Sequence, residues 1–275
     1  MWTLSAFADE ISPDLHVQVE TLLREGITHL ELRGVAGNNV LALTDSDIAI
    51  IRTTLDQHGI KVSSIGSPIG KISIGDEFGP HYTAFERALH VAQVLEAPFI
   101  RIFSFFMPPG EDPARYRDQV LDRLHQLVRR AEGTGITLLH ENEKEIYGDI
   151  PSRCHDILSQ INSPSLRAAW DPANFVQCGV QPYSEGYAAL RPFIAYVHVK
   201  DAVRATGAVV PAGHGDGEWP DTLTALHSSG FDGFFSLEPH LQEAGPFAGF
   251  SGPDLFHVAA EAFTSLLRTQ QIAWR

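Results

Sequence analysis

Short apolar runs alternate with longer amphipathic stretches from one end of the 275-residue chain to the other, and that alternation restricts the fold more than any single motif does. Trp2 to Ala8 reads as a strand, Asp14 to Glu25 as a helix, and Ile27 to Arg33 as the next strand. The unit recurs through helix Asp45 to His58, capped at Thr44, then strand Ile60 to Ile65, helix Tyr82 to Glu96 and strand Phe99 to Phe105. Helix Pro113 to Glu132 stops at Gly133 and Gly135, and strand Ile136 to Glu141 follows. The last units pair helix Ser152 to Ile161 with strand Leu166 to Trp170, helix Tyr183 to Leu190 with strand Ile194 to Val199, and helix Trp219 to His227 with strand Phe231 to Leu237. A closing helix runs from Pro253 to Arg268.

Eight strands alternating with eight helices in a chain of this length predict an α/β protein, a single (β/α)8 TIM barrel spanning residues 1–275. The competing open sheet usually carries a glycine-rich phosphate turn after its first strand, and Phe7 to Ser12 contains no glycine. A formal net charge of −14 opposes sequence-independent binding to nucleic acid or anionic lipid. Cys154 and Cys178 lack metal-site spacing, and no stretch resembles a spanning helix or secretory signal, so the expectation is a cytoplasmic protein without a membrane partner. Phe247, Phe250 and Trp274 could serve a homo-oligomer interface, although packing on their own barrel is the more ordinary role for terminal aromatics.

In such a barrel the C-terminal ends of the strands carry the chemistry, so ionisable residues that end apolar strands are the informative ones. Period-two alternation puts Thr137, Leu139 and Glu141 on one face of the fifth strand and turns His140 toward the helices. Asp171 ends the sixth strand, where Pro172 blocks further ladder bonding. His198 and Lys200 share a face of the seventh, and Ser236 and Glu238 share a face of the eighth. Taken singly, an acidic residue after a strand is commonly a helix cap, and a strand histidine is commonly a bonded core residue. Four such groups at the same end of four successive strands point instead to a shared cation, because bare carboxylates so close would raise one another's pKa values. Oxygen and imidazole donors without thiolates suit Mn²⁺, Mg²⁺, Co²⁺ or Zn²⁺. Lys200 could contact substrate or pair with Asp171 or Glu141. The loop from Ala202 to Glu218 is glycine-rich, and its His214 and Asp216 could line the mouth or simply structure the turn and cap the next helix. Its amides come with little positive charge, which favours an unphosphorylated substrate.

The segments LLHENEKEIYGD around Glu141, AAWDPANF around Asp171, YVHVKDA around His198, GHGDGEW and FFSLEPH around Glu238, supported by FIRIFSFF on the fourth strand, together resemble the sugar phosphate isomerase/epimerase superfamily of xylose isomerase-like barrels. The resemblance covers nearly the whole chain. It implies that Glu141, Asp171, His198 and Glu238 hold one divalent ion, and that Glu141 and Glu238 also serve as acid and base. The implied reaction isomerises or epimerises a sugar, sugar acid or polyol-derived ketone through an enediolate, with Lys200, Arg204, Asn174 and His214 as candidate substrate contacts. Ketose 3-epimerases carry a histidine where this chain has Asn174 and a glutamate where it has Tyr147, whereas Arg204 keeps their arginine spacing. The resemblance leaves three alternatives: a lyase of the inosose dehydratase kind, an endonuclease IV-like hydrolase, whose extra histidine ligands could come only from His81 and His240, and a non-catalytic sugar-binding barrel.

Overall fold

The computed structural model describes residues 1–244 and 249–275. Its centre is a ring of parallel strands: β1 (Thr3–Ala6), β2 (His29–Leu32), β3 (Lys61–Ile65), β4 (Phe99–Ile102), β5 (Thr137–Glu141), β6 (Leu166–Trp170), β7 (Ile194–Val199) and β8 (Phe234–Leu237). The hydrogen-bonded order is β1-β8-β7-β6-β5-β4-β3-β2, and β1 lies beside β2 where the ring meets. This is the TIM barrel the alternation predicts. Around it run α1 (Leu15–Arg24), α2 (Asp45–Gln57), α3 (Phe78–Val94), α4 (Arg117–Ala131), α5 (Pro151–Ile161), α6 (Pro172–Gln177), α7 (Ala188–Leu190), α8 (Trp219–Ser228) and α9 (Gly252–Thr269). Local chemistry sets their starts: the Asp14 carboxylate accepts from the amides of His16 and Val17, and Thr44 and Asp47 form a reciprocal capping box.

Two helical expectations are corrected. The segment expected as a helix over Tyr183 to Leu190 opens as a π-helical turn, Pro182–Tyr187, and only its last residues are α-helical. Gly186 in this turn is pressed against Pro151, where a Cβ would come within 2.8 Å of the ring, so only glycine fits there. The short α6 was not anticipated. Pro172 takes its first position and Asp171 caps it, so the residue that ends β6 also begins a helix.

Inside the barrel the side chains lie in layers. Phe99, Tyr196 and Phe234 pack together over Leu139 and Ala169, with Tyr196 and Phe234 stacked at 5.7 Å. Above them the Ser5 and Ser63 hydroxyls meet at 2.6 Å, and Ser63 lies 2.9 Å from the Tyr196 hydroxyl. The next layer is charged and contains Glu31, Arg101, Glu141 and His198, all buried. The larger apolar core lies between strands and helices, where Trp2 stacks on Phe235 at 4.3 Å and Phe263 packs against both Phe235 and Trp219. Trp274 and Phe250 are half-buried on the barrel's own surface, while Phe247 lies outside the described residues. No helix among the described residues is long and apolar enough to cross a membrane.

The glycine-rich loop after β7 is organised from within. Asp201 is buried, and its carboxylate accepts from the amides of Gly213 and Gly215 at 3.0 Å and of Gly217 and Ala202 at 2.8 Å. A Cβ on Gly215 or Gly217 would stand 2.6 Å from that carboxylate, which explains the glycines without any ligand. Asp216 accepts from the Arg204 amide, and Glu218 begins α8 in a left-handed conformation with no side-chain cap. Asp201→Ala would strand these buried amides at about 1–3 kcal/mol for each unmade bond. We expect a loss of at least about 3 kcal/mol, read as a melting temperature lower by roughly 6 °C or more; a smaller shift would show that water replaces the carboxylate.

Candidate metal centre

Four neighbouring strands deliver the four groups. Glu141 is the last residue of β5, Asp171 follows β6, His198 lies within β7, and Glu238 follows β8. All four are buried, and one donor atom from each lies within 4.8 Å of the other three. His198 Nδ1 is 3.2 Å from Glu141 Oε1, 4.0 Å from Asp171 Oδ2 and 3.9 Å from Glu238 Oε2. Atoms bound to one ion at about 2.0–2.6 Å stand roughly 3–4 Å apart, so these spacings fit a single coordination sphere. Three oxygens, one nitrogen and no sulfur could hold a divalent cation of the hard or borderline class.

In each group the atom turned away from the centre has a polar partner of its own. Asp171 Oδ1 accepts from the Asn174 amide at 2.9 Å, so Oδ2 is the oxygen turned toward the centre. Arg101 donates to Glu141 Oε2 at 3.0 Å, and Arg33 donates to Glu238 Oε1 at 3.1 Å. Behind His198, Nε2 lies 3.4 Å from the buried Glu31 carboxylate. A proton held on Nε2 leaves the Nδ1 lone pair for an ion, the usual arrangement of a carboxylate behind a ligating imidazole.

The expectation that only an outside cation could reconcile these carboxylates needs amending. Side-chain cations already do so: Arg33, Arg101 and the Lys200 ammonium, whose Nζ lies 2.9 Å from Asp171 Oδ2 and 2.8 Å from Glu238 Oε2. Burial pushes the Glu141 carboxyl up, but the His198 and Arg101 charges outweigh it and hold it at about 2. Glu238 is likewise held below the carboxylate range, with Lys200 and His240 overcoming burial. Asp171 goes the other way, raised by burial to about 6 against the pull of Lys200, with the charges of Glu141 and Glu238 adding to the rise. Burial would lower His198, yet Glu141 and Glu31 lift it well above the histidine range.

Glu31, Arg33 and Arg101 were not singled out from the sequence, yet a signal was there. In His29-Leu30-Glu31-Leu32-Arg33 and Phe99-Ile100-Arg101-Ile102, charged residues occupy alternate places in apolar strands, the same period that drew attention to Glu141 and His198. Phe7 joins them at the centre. Its ring faces the Arg33 guanidinium at 4.7 Å and that of Arg101 at 5.2 Å, and meets the His198 ring edge-on at 5.1 Å.

The remaining candidates divide. Asn174 reaches the cluster, its amide nitrogen donating to Glu141 Oε1 at 3.1 Å and to the Asn142 carbonyl at 2.9 Å. Lys200 reaches it through Asp171 and Glu238. Arg204 and His214 do not. Arg204 is exposed, with its guanidinium on the Val180 carbonyl, and exposed His214 lines a surface hollow with His257, Val258 and Leu266 of α9. His81 Nε2 accepts from the Gly70 amide at 2.7 Å, and His240 Nε2 lies 2.9 Å from Glu10. Glu10, Glu238 and His240 are also close enough to share an ion, but Arg33 lies 3.3 Å from Glu10 and already fills that position with a fixed positive charge.

With this geometry established, similarity to known proteins decides the ancestry. Residues 19–257 match the family model for the xylose isomerase-like TIM barrel. The chain belongs to that family. Among curated relatives of this xylose isomerase-like barrel is a 2-epi-5-epi-valiolone 7-phosphate 2-epimerase from an Actinoplanes species, 27% identical over 198 residues that make up 71% of each chain. A D-tagatose 3-epimerase-like protein superposes with a TM-score of 0.77 at 16% identity, covering 99% of this chain and 100% of the other. The IOLI protein, solved with a bound zinc atom, superposes with a TM-score of 0.78 at 15% identity, covering 97% and 98%.

Two outcomes follow from the site's buried groups. Glu31→Gln is expected to weaken divalent-ion binding about 10- to 100-fold, read by calorimetric titration of chelator-stripped protein; unchanged affinity would remove Glu31 from the centre. Burial holds the His140 imidazole at about 4, whereas Glu10 and Glu238 outweigh burial and lift His240 to about 9, against an ordinary 6.5 for both. Below that value the unfolded chain takes up a proton that native His140 refuses, so stability falls as pH drops from 6.5 toward 4. Above it, native His240 keeps a proton the unfolded chain has lost, so stability falls again between 6.5 and 9. In urea unfolding of the ion-free protein, His140→Gln should flatten the fall in stability between pH 6.5 and 4, and His240→Gln the fall between 6.5 and 9, relative to wild type; unchanged limbs would contradict these assignments.

Proposed function

We propose that this protein is a metal-dependent isomerase or epimerase of a sugar, sugar acid or polyol-derived ketone, moving a proton at the carbon beside a carbonyl. One observation carries the reading. Glu141 and Glu238 are each anchored by an arginine through one oxygen and aim the other at a common point, from β5 and β8 with β6 and β7 between them. Two carboxylates so placed flank a small substrate from different sides. Either carboxylate is held low enough to act as the base; for epimerisation the other must enter the step protonated and give that proton to the opposite face, with exchange with solvent resetting the pair between turnovers.

In this reading Glu141, Asp171, His198 and Glu238 hold one divalent ion, with Mn²⁺, Mg²⁺, Co²⁺ and Zn²⁺ all compatible with the donors. Such an ion supplies electrophilic polarisation of the substrate's carbonyl and neighbouring hydroxyl oxygens. The chain's own groups do the rest. Asn174 and Arg101 keep Glu141 from rotating, Arg33 does the same for Glu238, and the buried setting excludes the bulk water that would weaken these charges. The epimerase relative, named for a cyclitol phosphate, supports a cyclic polyol-derived ketone within the substrate class. A phosphate would have to be met away from the Gly213–Gly217 amides, since Asp201 already takes those of all three glycines.

Incubation of ion-loaded protein with a panel of ketoses and inososes in D₂O is expected to incorporate deuterium beside the carbonyl. Glu141→Gln and Glu238→Gln, each assayed at saturating ion, should slow that exchange by about 10²- to 10⁴-fold while leaving the circular dichroism of the barrel intact. An absence of exchange across the whole panel would overturn the reading.

A further inference from the structure

The Lys200 ammonium contacts two of the four converging donor atoms. Its contacts of 2.9 and 2.8 Å are with Asp171 Oδ2 and Glu238 Oε2, the same two oxygens that face His198 Nδ1. They are the oxygens left over once the Asn174 amide has taken Asp171 Oδ1 and Arg33 has taken Glu238 Oε1. The cations of the site therefore fall into two kinds. Arg33 and Arg101 bind the outward oxygens and leave the centre open, whereas Lys200 binds inward ones that a divalent ion would need at about 2.0–2.6 Å. An ion and an ammonium drawn to the same lone pairs would sit within a few ångströms of each other in a buried site, where like charges repel strongly.

The surrounding fold makes an exchange between them cheap. Lys200 follows the last residue of β7, and its carbonyl accepts from the Trp219 indole at 3.2 Å. The next residue, Asp201, is locked to the glycine amides. The backbone is thus held on both sides of a flexible four-carbon stem, so the ammonium can part from its two carboxylates by side-chain torsion alone, without moving the strand. Two residues past the Glu141 end of β5, the partly exposed Glu143 offers a further carboxylate, paired with Lys71 at 3.3 Å.

We propose that Lys200 is a built-in counter-ion that competes with the divalent cation. In the ion-free protein its ammonium holds Asp171 and Glu238 together; when an ion binds, the ammonium leaves both oxygens and becomes a hydrogen-bond donor to substrate in the mouth. This deepens the metal-dependent reading above and rests on it. A centre whose competent form is only a fraction of the population binds with its affinity reduced by that fraction. Wild-type affinity is therefore set partly by a lysine that is no ligand.

Lys200→Met separates the possibilities. Chelator-stripped wild type and variant would each be titrated with MnCl₂ by calorimetry and melted with and without the ion. The variant is expected to bind Mn²⁺ about ten-fold tighter or more, as when the ammonium occupies the centre roughly nine-tenths of the time. Its ion-free form should melt lower than wild type, and addition of Mn²⁺ should raise its melting temperature by more. Equal or weaker Mn²⁺ binding by the variant overturns the competition while leaving the metal reading intact. Failure of both proteins to bind Mn²⁺, Mg²⁺, Co²⁺ or Zn²⁺ overturns the metal reading and the competition with it. Should the ion-free variant not fold, wild-type crystals grown with and without Mn²⁺ decide: Nζ withdrawn from both carboxylates in the loaded crystal supports the exchange, and Nζ still bonded to both beside the ion refutes it.

Discussion

Carboxylates buried at the rim of a barrel cannot be left bare, and much of this chain is arranged around that electrostatic constraint. Glu141, Asp171 and Glu238 bring one oxygen each within 4.8 Å of one another, with Glu31 behind His198 and Glu10 beside Arg33. Removing so much negative charge from water is affordable only where every charge has a partner or a hydrogen bond. Arginines from the first four strands and Lys200 and His240 from the last two units supply those partners. Arg101 lies in β4 and donates to Glu141 on the adjacent β5, and Arg33, just past β2, reaches over β1 to Glu238 at the end of β8. The two halves of the ring are therefore joined by charge as well as by backbone pairing, and neither half could keep its polar interior alone.

Aromatic packing fixes the angle of that junction. Phe7 lies against both guanidiniums and the His198 ring, and Gly66 makes room for it, since a Cβ there would come within 2.7 Å of the Phe7 ring. The turn that follows β1 also ties down the end of the chain. Glu10 accepts from the His240 amide at 2.8 Å and pairs with Arg33, and its carbonyl accepts from the Ser251 amide. The segment after β8 is thus bound to the segment after β1, where the ring closes without a ladder between β1 and β2. Positioning of Glu238 depends on this closure, because the residue lies just past the strand and depends on Arg33, Lys200 and His240 for its orientation.

Much of this was legible in the sequence because the signals are periodic. Strand alternation alone pointed to the barrel, and the acidic and imidazole groups ending β5 through β8 could be placed on its inner face. The less legible parts depend on which partner a side chain finds in space. Arg204 kept a suggestive spacing from His198, but the Asp201 carboxylate folds the loop so that Arg204 faces outward. His214 lies among glycines that read as a ligand cradle, yet their amides already have an internal anion. Glu31 and Arg101 were hidden for the opposite reason. Each sits in mid-strand, where a charge is easily taken for an interruption of an apolar pattern, and only the opposing strands reveal a polar layer across the barrel. The π-helical turn at Pro182–Tyr187 packs its Gly186 on Pro151 of another helix, a tertiary contact that local propensity does not encode.

The arrangement also separates stiffness from exchange. Groups that set direction are held twice: Glu141 by Arg101 and Asn174, Asp171 by the Asn174 amide and by the Asn142 side chain on its backbone, His198 by Glu31 and Phe7. Preorganised charges of this kind stabilise developing charge without reorganising at the moment of reaction. Lys200 is built differently, since its backbone is fixed by the Trp219 indole while its ammonium sits at the end of a flexible stem, hydrogen-bonded to Glu238 Oε2 and ion-paired with Asp171 Oδ2. A site that had to accept a cation through wholly rigid walls would need its carboxylates to remain bare and mutually repelling until the ion came. A tethered ammonium avoids that state, because the carboxylates stay neutralised and correctly spaced while one flexible stem carries the whole rearrangement.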